Sequence, residues 1–143
     1  MGTSNTSAKI GASLYFIWAL LHFMAARSVY VLGQTLAPSM MQGRVFQAAW
    51  NLLFFSLAAI FVAVVLNWKN SLWGYWINFA VVGVADVGFI LFVLVPGYMP
   101  VWPGILGPVF WVLAVIFSTI ALLNRDKAGN VELAGTLSAM DGR

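Results

Sequence analysis

Four long apolar runs, separated by short polar or proline-containing segments, are the feature of this sequence that most constrains its fold. The runs extend over residues 10–31, 45–66, 72–95 and 101–123. A helix needs about 20 apolar residues to cross the ~30 Å hydrocarbon core of a bilayer, and each run meets that length. Only 8% of the residues are charged and 62% are hydrophobic, whereas roughly a quarter of the residues in soluble domains are charged. We therefore expect an integral, multi-pass membrane protein.

The four runs predict an all-α fold, an antiparallel up-down four-helix bundle that forms one transmembrane domain over residues 1–124. Residues 125–143 are expected to form a short, mobile C-terminal tail. An even number of spans places both termini on one side of the membrane. Basic residues flank the spans more often on that side than on the other: Lys9, Lys69, Arg125 and Lys127 against Arg27 and Arg44. The positive-inside rule then favours cytoplasmic termini.

Asp86 lies inside the third apolar run and is the only acidic residue before Asp126. A charged side chain near the centre of a bilayer costs at least ~2.5–3.5 kcal/mol, so such residues usually serve a function. The alternative is a structural carboxylate that fixes the register of the helices through a polar partner. Asp86 is the first candidate site residue.

Residues at equal height on antiparallel helices lie side by side, so depth tests whether other polar residues surround Asp86. At 1.5 Å per residue, His22, Asp86, Asn51 and Trp111 all lie roughly 18–22 Å from the cytoplasmic end of their helices. One polar layer with a contribution from every helix is therefore predicted. Gln47, Arg27 and Arg44 are expected above this layer, so that a cavity would open toward the outer leaflet.

The predicted roles follow from side-chain chemistry. Asp86 and His22 are the candidate catalytic residues, and six others are candidate ligand-binding residues: Asn51, Gln47, Trp111, Trp18, Arg27 and Arg44. Each residue also has a structural interpretation. His22 would be a packed core histidine, the two amides would form interhelical hydrogen bonds, the arginines would extend to the interface, and the tryptophans would belong to the core or the aromatic belt.

Several chemistries do not fit the sequence. A single histidine cannot form a bis-histidine haem site, and no Glu-x-x-His pair is present for a di-metal centre. No cysteine is available for a thiolate site or a disulfide, and no glycine-rich phosphate loop or Gly-x-Ser-x-Gly motif occurs. The basic residues form no cluster of the kind that binds nucleic acid. We expect no metal, no cofactor and no nucleic-acid partner.

Three functions remain open. The first is binding of a lipophilic small molecule, such as an isoprenoid, a sterol-like lipid or a quinone, in an intramembrane cavity. In that case a carboxyl group desolvated among Phe79, Val82 and Ile90 would suit general-acid chemistry in an isomerase or cyclase. The second is a non-catalytic scaffold or accessory subunit that binds partner membrane proteins. The third is an oligomeric, proton-coupled transporter.

Residues 42–123 also resemble a known family. The segments QGRVFQAAWNLLFFS, NWKNSLWGYWINFA and GILGPVFWVLAVIFSTI are similar to the small four-helix ergosterol-biosynthesis scaffold family, whose members tether sterol C4-demethylation enzymes in the membrane. The first apolar run matches that family poorly. The resemblance implies a four-helix membrane fold and a scaffold or sterol-associated role, and it identifies no catalytic residue.

Overall fold

The chain is almost entirely helical. A computed structural model describes residues 3–141, with side chains described for residues 6–125, 127 and 140, and it contains no β-strand within that range. A 3-10 turn links the second and third helices, and a π-helix continues the third. The elements are α1 (Thr3–Gln34), α2 (Met40–Val65), the 3-10 turn (Asn67–Lys69), α3 (Leu72–Phe89), the π-helix (Ile90–Leu94), α4 (Val101–Gly104) and α5 (Leu106–Asp141).

Four segments are long and apolar enough to cross a membrane: Thr6–Gln34, Met40–Lys69, Leu72–Leu94 and Leu106–Arg125. The helical class and the number of spans predicted from the sequence are thus confirmed. The helix boundaries differ in two places. The last helix continues to Asp141, through the segment expected to be a tail. The first two helices extend beyond the apolar runs 10–31 and 45–66, so that only residues 35–39 connect them.

Gln42 closes the turn between α1 and α2. Its amide nitrogen donates to the carbonyl oxygens of Gly33 at 3.1 Å and Leu36 at 2.9 Å. The last carbonyls of a helix have no partner within the helix, so such a side chain satisfies groups that would otherwise need water. Ser39 caps the N-terminus of α2 by accepting a hydrogen bond from the backbone N–H of Gln42. One residue therefore connects the end of α1 with the start of α2.

The opposite end of the helices is joined around Asn70. This residue has a left-handed backbone (φ 56°), a conformation that asparagine tolerates better than most residues. Its amide nitrogen donates to the carbonyl oxygen of Ala121 at 3.0 Å, and Arg125 donates to the carbonyl oxygen of Asn70 at 3.0 Å. The ammonium group of Lys9 lies 5.8 Å from the centre of the Trp68 ring. The start of α1, the turn after α2 and the middle of α5 therefore meet at one end.

Small residues dominate the helix contacts. The buried core contains two large aromatic side chains and otherwise mainly alanines: Tyr15, Trp18, Ala19, Ala59, Ala63, Val82 and Ala114. This composition is typical of membrane helices, which associate through close backbone approach because lipid removes the hydrophobic drive between larger side chains. The α3–α5 contact illustrates it: a methyl group added to Gly83 would lie 2.8 Å from the Trp111 ring.

Candidate functional site

Asp86 is fully buried on α3, with 0% of its surface exposed. The indole N–H of Trp18, on α1, donates a hydrogen bond of 2.9 Å to Asp86 Oδ2. Trp18 is itself fully buried, so this bond is shielded from competing donors and is correspondingly strong. The other oxygen, Oδ1, accepts no hydrogen bond from any described group.

His22 lies one helical turn beyond Trp18 and covers that second oxygen. Its ring stacks on the Trp18 ring with the centres 3.7 Å apart and an angle of 22° between the planes. Nδ1 lies 3.0 Å from the carbonyl oxygen of Trp18, and Nε2 lies 3.6 Å from Asp86 Oδ1. The imidazole is therefore oriented by Trp18 from two directions and presents Nε2 to the carboxyl group.

This geometry determines how many protons the Asp86–His22 pair carries. A carbonyl oxygen can only accept, so the contact with the Trp18 carbonyl requires a hydrogen on His22 Nδ1. If Nε2 carried no hydrogen and Asp86 were ionised, two lone pairs would face each other in a dry interior, which is unfavourable. A proton on Nε2 or on Oδ1 removes this repulsion, and at 3.6 Å the two atoms face each other without forming a hydrogen bond. The pair is a proton-holding site.

Gly107 allows α5 to approach this pair. A methyl group at that position would lie 3.0 Å from His22 Cε1 and 3.4 Å from Asp86 Oδ1. The distance to Cε1 is so short that the His22 ring would have to shift. Residue 107 is also in the first turn of α5, where the helix dipole is positive and favours a nearby carboxyl oxygen. The sequence analysis did not single out Gly107 as a site residue. Its position one helical turn before Trp111 was the available signal.

Trp111 lies beside the pair without a described contact to it. Its ring packs on Gly83, one turn before Asp86 on α3, and 6.2 Å from the Phe79 ring. The Trp111 indole N–H is buried and has no hydrogen-bond partner among the described groups. A second unsatisfied polar group therefore lies within one helical turn of Asp86.

The backbone hydrogen-bond pattern changes from α to π a few residues after Asp86. The N–H of Ile90 points to the carbonyls of both Asp86 and Val87, and the next turn follows the wider π pattern, in which the N–H of Val95 donates to the carbonyl of Ile90 at 2.9 Å. Single π turns inside α-helices occur frequently at functional sites. Asp86 thus sits at the last regular turn of α3.

The polar residues of α2 do not join the pair. Arg44, Gln47 and Asn51 are all exposed, and Arg44 donates to the Gln47 side-chain oxygen at 2.9 Å. The prediction that α2 contributes to the polar layer is therefore wrong. The buried residue Ala49 faces the other helices, and Asn51 lies about 200° around the α2 axis from Ala49 at 100° per residue.

The remaining candidates divide between two places. Trp18 contacts Asp86 through its N–H, and Arg27 lines a groove between α1 and α2 that is distinct from the pair. The predicted proximity of His22 and Asp86, on separate spans, is confirmed. Among the side chains that the structure describes, no three His, Cys, Asp or Glu residues lie together. His22 and Asp86 would supply two metal ligands, fewer than a protein-held zinc site uses.

The four candidate spans indicate a multi-pass membrane protein, and a buried Asp–His pair lies between the first and the third of them. Comparison with models of known protein families, with curated proteins and with solved structures finds no match to this chain.

Proposed function

We propose that this protein binds a lipophilic small molecule through the Asp86–His22 pair. The observation that carries the proposal is Asp86 Oδ1, a fully buried acceptor with no hydrogen-bond donor among the described groups. Such groups are rare in native proteins and call for an explanation. A hydroxyl or carbonyl group at the end of an apolar molecule would pair with the proton-holding site, and the apolar remainder would stay among the helices. Isoprenoids, sterol-like lipids and quinones have this form.

The same pair can support acid–base chemistry on such a ligand. If the proton resides on Asp86, the carboxyl group can transfer it to one carbon of a double bond, which leaves a cation on the other carbon. Return of a proton from a neighbouring carbon to the carboxylate would complete an isomerisation. His22 would hold the carboxyl group in position, and the Trp111 ring would stabilise the cation from one turn away.

The test is mass spectrometry of the lipophilic molecules that co-purify with the wild-type protein and with Asp86→Asn. The amide replaces the free acceptor and removes the exchangeable proton, so a defined compound should be present in the wild type and depleted in the variant. Gln47→Ala is the matched control, because it removes a polar group that does not contact the pair. Identical lipid profiles in all three samples would overturn the proposal.

A scaffold role, which the family resemblance implies, predicts a different result from the same variant. A scaffold whose Asp86 only fixes helix register would keep its partner proteins when Asp86 becomes Asn, as long as the protein stays folded. Co-purified partners that persist in Asp86→Asn, together with unchanged lipids, would favour the scaffold over the binding protein.

Proton-coupled transport by an oligomer is a second candidate, and two observations favour it. The π-helix after Asp86 interrupts the regular α3 pattern, and interrupted helices often border the sites of transporters. The Asn51 amide is exposed within the second candidate span, where a second copy could satisfy it. The candidate predicts pH-dependent flux in liposomes, which Asp86→Asn should abolish. It also predicts a detergent-stable oligomer, which Asn51→Leu should disrupt.

We further propose that the spans alternate in direction and that both termini are cytoplasmic. The contacts of Lys9 with Trp68 and of Arg125 with Asn70 support this arrangement, because they bring basic residues of three segments to one end. The absence of cysteine in the sequence makes the test direct. In sealed cells, a membrane-impermeant maleimide should label Thr35→Cys and should not label Lys69→Cys; the reverse pattern would overturn the topology.

A further inference from the structure

A second recess lies between α1 and α2, apart from the Asp86–His22 pair. It is a groove of about 400 Å³ with eight lining residues: Phe23, Ala26, Arg27, Tyr30, Phe46, Ala49, Trp50 and Leu53. Neither His22 nor Asp86 belongs to the lining. The volume is within the roughly 300–1,000 Å³ that is usual for small-molecule sites.

The groove is concave because its floor and its walls differ in size. Ala26 and Ala49, which are 6% and 5% exposed, are buried where the two helices approach. Large side chains rise beside them, among them Trp50, which is 68% exposed. A methyl-lined floor between aromatic walls forms an apolar channel, and an extended hydrocarbon chain fills such a channel better than a bulky ring system does.

Arg27 is the only charged residue in the lining. No hydrogen bond or ion pair joins its guanidinium to another group in the described part of the chain. Arg44, the other arginine in this half of the protein, bonds to Gln47 instead. Asp86, the one acidic residue whose side chain the structure describes, does not line the groove. The exposed guanidinium of Arg27 is therefore open to an anion from outside the described part of the chain.

The height of Arg27 suits a lipid phosphate. The first candidate span contains 29 residues, about 43 Å at 1.5 Å per residue, which matches a whole bilayer including its headgroups. Arg27 precedes the end of α1 at Gln34 by about 10 Å. Its long side chain therefore reaches the boundary between hydrocarbon and headgroups, where phosphate groups lie and where a guanidinium can bind two phosphate oxygens at once.

We propose that this groove binds one anionic phospholipid from the surrounding leaflet. Its phosphate pairs with Arg27, and one acyl chain lies along the alanine floor beside Trp50. This site is independent of the ligand proposed for Asp86.

The experiment is a lipid titration of the delipidated, full-length protein, followed by native mass spectrometry. Phosphatidylglycerol and phosphatidylcholine with identical acyl chains serve as probes. Phosphatidylglycerol should bind more tightly, and Arg27→Gln should weaken its binding about fivefold, the usual effect of one basic residue on anionic lipid binding. Arg44→Gln is the matched control for charge and should leave the binding unchanged.

A second pair of variants tests the apolar wall. Trp50→Ala should weaken the binding of both lipids, whereas Trp73→Ala, which removes another exposed tryptophan outside the groove, should not. Both positions are exposed, so folding is retained, and a monodisperse elution profile checks this. Asp86→Asn should leave the phosphatidylglycerol adduct intact, which separates this site from the proposed function.

Three results would overturn the assignment. Equal binding of the two lipids would show that the groove does not select an anion. Equal losses in Arg27→Gln and Arg44→Gln would show a general surface-charge effect. Dimers without lipid adducts, lost in Trp50→Ala, would show that a second copy of the chain covers the groove.

Discussion

Replacing Asp86 by asparagine is the most informative perturbation, because the proton-holding geometry predicts that the fold tolerates it. The amide oxygen can accept the hydrogen bond that the Trp18 indole now donates to Asp86 Oδ2 at 2.9 Å. The amide NH₂ can then face His22 Nε2 across the present 3.6 Å. Every contact keeps one donor and one acceptor, so we expect a loss of less than about 1 kcal/mol in the free energy of unfolding.

Asp86→Ala provides the contrast. It leaves the buried Trp18 N–H without its hydrogen-bond acceptor. A buried group left unsatisfied costs about 1–3 kcal/mol, so the variant should lose about that much in the free energy of unfolding. Asp86→Ala should therefore be clearly less stable than Asp86→Asn, although both substitutions remove the carboxyl group.

The assay is equilibrium unfolding of the full-length protein in mixed micelles with increasing dodecyl sulfate, followed by circular dichroism at helical wavelengths. Asp86→Asn should unfold close to the wild type and Asp86→Ala clearly below it. Equal destabilisation of the two variants would refute the reasoning, because it would mean that the structure requires the negative charge of Asp86.

Three further predictions concern stability and use the same unfolding measurement. Gly107→Ala should destabilise the protein by about 1–3 kcal/mol because the methyl group presses on His22. Gly43→Ala is the control: its added methyl group meets nothing within 4 Å, so the variant should be neutral or stabilised by up to about 1 kcal/mol. The reverse order of stability would contradict the α5 packing. Gln42→Ala should cost about 1–3 kcal/mol through two lost hydrogen bonds to the end of α1, and an effect no larger than that of Gln47→Ala would argue against the cap. Asn70→Ala should cost about 1–3 kcal/mol, because alanine is strained in the left-handed region and loses the bond to α5; a wild-type transition would show that this turn is not stabilising.

The polar residues show how far the sequence could locate the site. The depth of a residue along its helix follows from the helix rise and its distance from the end of the span. Depth correctly predicted that His22 lies near Asp86. It failed for Asn51 because depth does not specify rotation about the helix axis. On α2 the rotation is decided by alanines that allow close packing, and these turned the polar stripe outward.

The roles of Trp18 and Gly107 were also beyond the sequence. A tryptophan in an apolar run is usually a packing or interfacial residue, and only the position of α3 shows that the Trp18 N–H donates to Asp86. Gly107 is one of 13 glycines in the chain, and its importance depends on the 3.0 Å approach to His22. Both roles depend on contacts between spans that are far apart in sequence.

The sequence by itself determined the helical class, the four spans and the presence of one costly carboxyl group among them. These properties follow from local chemistry, because apolar run length and the price of burying a charge do not depend on which helices are neighbours. The tertiary structure decided which groups surround Asp86 and which face of α2 is outside. Those properties depend on the rotation and approach of each helix, which small residues on several spans set together through close packing.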